Sequence, residues 1–112
     1  MERDDRAAQL RKGVLELAIM AMLDEAETYG GQLVERLAQR PALAASPGTV
    51  YPLLSRLRST GVVETAWRES PVGPPRKYYR LTDTGLAALA EMAISWRELS
   101  AAMTAILKDV TH

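Results

Sequence analysis

SPGTVYPLLSRLRSTGVVETAW, Ser46 to Trp67, reads as a short, basic, capped helix that runs straight into a β-hairpin. Ser46 supplies a hydroxyl at the N-cap, and Pro47 comes next at the first helical position, where a missing N–H is without consequence. Val50, Leu53, Leu54 and Leu57 recur at i, i+3, i+4 and i+7 and make one apolar face, while Gly61 marks the stop. The opposite face carries Pro52, Ser55 and Ser59, flanked by Thr49, Arg56, Tyr51 and Arg58. Small, hydroxylic and basic side chains let a helix come close to phosphates and base edges. On periodicity alone, an ordinary amphipathic helix with a solvated polar side reads equally well. Pro52 lies inside the helix, where it deletes a backbone bond and crowds the preceding turn, so a distorted first turn is expected.

The hairpin after this helix tips the balance. Val62 to Arg68 and Arg76 to Leu81 have the β-branched and aromatic content of strands, and SPVGPP between them is too rich in proline and glycine to continue either. Arg76 and Lys77 sit where the second strand leaves the hairpin tip, and Arg68 stands on the strand facing them. A basic hairpin beside a basic helix can grip a nucleic-acid backbone; alone, it is more simply a solvated, aggregation-resistant edge. Upstream, Leu10 to Asp24 reads as a helix apolar almost all round and so buried on two sides, and Thr28 to Arg40 as a second helix ended by Pro41. The short alanine-rich link to Ser46 suits a helix-turn-helix corner.

The expected class is therefore mainly α with a small β-hairpin (α+β): a winged helix-turn-helix with a long C-terminal dimerisation helix. Residues 1–82 form the DNA-binding part and 83–112 the dimerisation helix, in one compact unit. At 112 residues the chain suffices for one modest core. With 47% hydrophobic and 25% charged residues it has the composition of a soluble globule, and without cysteine it has neither disulfides nor thiolate metal sites, which fits a reducing compartment. Charges of both signs at the N-terminus, and an apolar run from Val14 to Leu23 interrupted by Glu16, point to a cytoplasmic protein with no membrane partner. The formal net charge is zero, but residues 46–80 carry six basic and two acidic side chains. A local patch, not the total, sets the electrostatic footprint on DNA.

Thr82-Asp83 caps the last helix, whose apolar positions run Leu86, Leu89, Ala93, Trp96, Met103, Leu107 and Val110, widened by Met92, Leu99 and Ile106. From Asp83 to Val110 it would reach about 40 Å, beyond what so small a domain covers. A monomer would leave Trp96, Leu99, Met103, Ile106 and Leu107 in water, so a homodimer is expected, with Leu89 also at the interface. An enzyme is not indicated: the only histidine is His112, cysteine is missing, and no carboxylate cluster or phosphate loop appears. No cofactor and no metal are expected.

Three stretches, YGGQLVERL, SPGTVYPLLSRLRSTGVV and RKYYRLTDTG, together resemble the PadR family of bacterial transcriptional regulators over roughly Arg11 to Trp96. The resemblance implies a dimer that presents the Ser46 helix to the major groove of double-stranded DNA and the hairpin to flanking backbone. It also implies Tyr51 at a phosphate and Pro52 close to the bases. The single C-terminal helix looks like that of the short-chain subclass, where it packs with the first helix, including Leu15, at the dimer interface. Two departures stand out: Gly31 replaces an aromatic residue, and Arg58 replaces an acid. The reading is a repressor of a near-palindromic operator. Its DNA contacts are Thr49, Tyr51, Pro52, Ser55, Arg56, Arg76 and Lys77, and a small planar aromatic effector at Trp96 releases it. The competing reading is a winged-helix module that binds protein and never touches DNA; for Trp96 it is simple packing.

Overall fold

In the computed structural model, which describes residues 5–110, the chain runs α1 (Arg6–Glu25), β1 (Thr28–Tyr29), α2 (Gly30–Ala38), one 3₁₀ turn (Pro41–Leu43), α3 (Pro47–Ser59), β2 (Val63–Arg68), β3 (Arg76–Leu81) and α4 (Asp83–Leu107). The helical part encloses a core of Leu15, Ile19, Met20, Met22 and Leu23 from α1, Leu33 and Leu37 from α2, and Val50, Leu53, Leu54 and Leu57 from α3, closed by Val63 and Tyr79 of the sheet. Leu15, expected at a dimer interface, is instead 4% exposed within this core, because it shares a helical line with Ile19 and Met22.

Thr28 and Tyr29 are not the start of a helix. They pair antiparallel with β3, Thr28 opposite Tyr79 and Tyr29 opposite Tyr78, giving a three-stranded sheet of order β1-β3-β2 in place of the two-stranded hairpin. The free edge of β3 would otherwise leave backbone donors and acceptors unpaired, and a buried threonine and a tyrosine suit a short strand. The Thr28 hydroxyl turns to Gln32 one helical turn on.

Helix α3 begins where expected, but the Ser46 hydroxyl makes no capping bond; its carbonyl accepts the Thr49 and Val50 N–H groups at 2.9 and 3.0 Å. Pro52 does not break the helix. The carbonyl that loses its partner is that of Gly48, in the exposed first turn, where solvent can replace the missing donor. The other end closes as a Schellman motif: Gly61, at φ +79°, donates to Arg58 O at 3.1 Å, and Val62 donates to Leu57 O at 2.9 Å.

The joint between sheet and α4 is tight. Thr82 Oγ1 accepts the Gly85 N–H at 3.0 Å, while its hydroxyl donates to the Gly61 carbonyl at 2.5 Å. A Cβ on Gly85 would lie 2.1 Å from the Val62 carbonyl oxygen, so no other residue fits there without moving backbone. From this anchor only Ala88, Leu89 and Met92 of α4 pack on the core. The rest projects, and the radius of gyration is 16.0 Å, against roughly 13 Å for a compact chain of this size.

Gly85→Ala is expected to destabilise the fold by about 1–3 kcal/mol through overpacking against backbone. Urea unfolding monitored by circular dichroism should show a lower midpoint at unchanged slope.

Candidate nucleic-acid interface

Because Val50, Leu53, Leu54 and Leu57 are buried, the opposite side of α3 has to face outward. Its crest is made of Gly48, Pro52, Ser55 and Ser59, all exposed and all small. Two flanks rise beside it. Thr49 and Arg56 lie on the α1 side, where they border a cleft with Lys12, Gly13 and Glu16, and Arg56 Nη2 pairs with Glu16 Oε2 at 2.7 Å. Tyr51 and Arg58 lie on the side of the hairpin, near Tyr79. Burial pushes the Tyr79 phenol above its usual pKa, the Tyr51 phenol adds to that, and Arg58 opposes it, so this hydroxyl stays protonated at neutral pH.

In the hairpin, Arg68 stands opposite Arg76 and Trp67 opposite Lys77. Like charges placed face to face repel. Here each arginine is drawn aside: Arg68 pairs with Glu27 at 2.6 Å and lies 5.6 Å from the Tyr78 ring centroid, and Arg76 lies over the Tyr29 ring at 4.3 Å. Alternation along the strand sends Arg76 and Lys77 to opposite faces. Lys77 shares its face with Trp67, its ammonium 5.8 Å from the indole centroid. Tyr51, Arg76, Lys77, Trp67, Tyr29 and Gly30 nevertheless line one cleft of about 340 Å³ between α3 and the hairpin, with no acidic side chain in its wall.

Gly30 is what lets Tyr51 lie there, since a Cβ at that position would come within 2.4 Å of the tyrosine ring. A Cβ on Gly31 would sit 3.4 Å from the Tyr29 ring, so an aromatic residue in its place would start against Tyr29. Tyr29, Gly30, Trp67 and Tyr79 also line this cleft and are not among the DNA contacts expected from the sequence. Counting back from the turn would have set Trp67 opposite Lys77; no local signal puts Tyr29 beside Arg76, because that contact depends on the pairing of β1 with β3.

At the other end of the molecule, Trp96, Leu99, Met103, Ile106 and Leu107 form an exposed apolar stripe on α4, from 44% exposed at Trp96 to 68% at Ile106, while Leu89 is half-buried. Between this stripe and Leu10, Val14 and Leu17 of α1 runs an apolar groove of about 400 Å³ with Trp96 in its wall. The described residues hold no group of three or more side chains suited to a metal ion, and no helix among them is long and apolar enough to cross a membrane. His112 lies outside the described residues.

Comparison with known proteins agrees with this architecture. The profile of the transcriptional regulator PadR-like family matches residues 19–91. A PadR-like transcription factor from Bacteroides fragilis is 40% identical, with 92% of this chain and 99% of that one covered and a TM-score of 0.73. A PadR-like transcriptional regulator from Bacillus cereus is 37% identical over 88% of this chain and 96% of its own, with a TM-score of 0.80. A transcriptional regulator of Mycobacterium tuberculosis is 33% identical over 82% of this chain and 84% of its own length. The winged helix-turn-helix fold, the profile match over residues 19–91 and these relatives along most of its length place the chain in the PadR-like family of transcriptional regulators.

Proposed function

We propose that the protein is a cytoplasmic, homodimeric repressor that binds a near-palindromic operator and is released by a small planar aromatic compound. Residues 1–82 present α3 to the major groove and the hairpin to the flanking backbone, and residues 83–112 hold two subunits together. The observation that carries the reading is the crest of α3: four small residues bounded by Arg56 on one side and by Tyr51 and Arg58 on the other. Such a ridge can sink into a groove until Ser55 and Pro52 meet base edges, with Thr49 and Arg56 at one wall and Tyr51, Arg76 and Lys77 at the phosphates of the other. The two-fold axis would set half-sites about one helical turn, ~34 Å, apart.

Protection footprinting upstream of the protein's own gene tests operator, symmetry and spacing together. If Arg56 reads a base, Arg56→Ala should cost about 1–3 kcal/mol on the operator and relax one position, whereas Lys77→Ala should weaken operator and random DNA alike. A folded dimer that binds no duplex at any salt concentration would leave the protein-interaction reading in its place.

The dimer is supported by the stripe on α4, which a solitary subunit would keep in water. Ile106 is exposed in the single subunit, so Ile106→Glu costs that subunit no packing. The wild-type protein is expected to sediment as a dimer and the variant as a monomer with reduced operator affinity.

The effector reading rests on the apolar groove beside Trp96. A ligand that fits it better in one arrangement of the two subunits shifts the distance between the reading helices. Titration with a panel of aromatic compounds should quench wild-type tryptophan fluorescence and leave Trp96→Leu, which retains Trp67, unchanged. Identical titrations in both proteins would reduce Trp96 to a packing residue.

A further inference from the structure

Arg56, the guanidinium best placed to read a base, is not free in the unbound protein. Its Nη2 lies 2.7 Å from Glu16 Oε2, across a cleft of about 300 Å³ whose walls are Lys12, Gly13, Leu15 and Glu16 of α1 and Thr49, Pro52, Leu53 and Arg56 of α3. The two partners are unequally held. The Glu16 side chain is 26% exposed, on a helix anchored by Leu15, Ile19 and Met20; the Arg56 side chain is 61% exposed. The carboxylate is thus the fixed member of the pair, and the guanidinium the one that can leave.

We infer that Glu16 holds down binding to arbitrary DNA: its carboxylate competes with DNA for Arg56 and restrains how readily that side chain engages a phosphate. This rests on the reading of α3 as the DNA-reading helix. Carboxylate and phosphate seek the same donors, so a duplex contact that uses Nη2, or that draws the side chain away from α1, has to break the pair first. An exposed pair is weak enough to break, yet its loss subtracts from binding. A single phosphate contact on arbitrary DNA barely offsets that loss, whereas a two-pronged contact to a base does so fully.

The test is anisotropy titration of a random-sequence duplex, over a series of salt concentrations, with the wild-type protein, Glu16→Gln, Arg56→Ala and the double variant. Circular dichroism checks folding, and Glu16→Ala serves as a second removal of the carboxylate with the same expected direction. Removing it should tighten binding by about two- to fivefold and steepen the logarithmic salt dependence by about 0.9, the signature of one more neutralised phosphate. In the Arg56→Ala background the same substitution should change neither. Equal tightening in both backgrounds would mean a general loss of negative charge and would overturn the inference, as would unchanged or weaker binding by Glu16→Gln while the wild type binds. Failure of every variant to bind duplex would overturn it together with the function proposed above.

Discussion

The structure depends on the burial of one face of a thirteen-residue helix. Val50, Leu53, Leu54 and Leu57 lock α3 against α1, α2 and the sheet, and a helix held by four apolar side chains cannot rotate about its axis without exposing them. The outward side is therefore fixed in orientation as rigidly as the inward one. Gly48, Pro52, Ser55 and Ser59 form the crest because the core has already claimed every large side chain but the flanking ones. Gly61 then reverses the chain in a left-handed turn, so that the hairpin emerges beside the same face.

Helix α1 borders both the cleft beside α3 and the groove beside Trp96. One side supplies Glu16 and Lys12 to the cleft beside α3, and another supplies Leu10, Val14 and Leu17 to the groove beside Trp96. Gly13 borders both. The side chains facing the α4 groove and those facing α3 are thus carried on two faces of the same turns of one helix.

Charge along the chain shows the same division. The basic excess of residues 46–80 is spread over α3 and the hairpin, and much of it is held in place by neighbours. Arg68 is held by Glu27, Arg80 by Glu64, Arg56 by Glu16, and Arg76 lies against the ring of Tyr29. Held cations lose less conformational freedom when they meet a polyanion, but those paired with acids must first give up a partner. That balance leaves a chain with no net charge a locally basic face over α3 and the hairpin.

Most elements could be read from the residues themselves, because the signals are local: a serine and proline before the 3.6-residue pattern of α3, a proline-rich tip between two strands, a Thr-Asp pair ahead of α4. The stop of α3 at Gly61 and the bounds of β3 come from such short-range chemistry. What only the tertiary structure decided lies between residues far apart in the chain. Thr28 and Tyr29 became a strand because Tyr78 and Tyr79 arrived beside them, Leu15 went to the core because α3 comes to rest against that side of α1, Gly85 is required because the Val62 carbonyl comes to rest against it, and Arg56 met Glu16 across 40 residues. Periodicity states which side of a helix is apolar; which neighbour covers it, and which charge waits there, depends on how all the helices share one core.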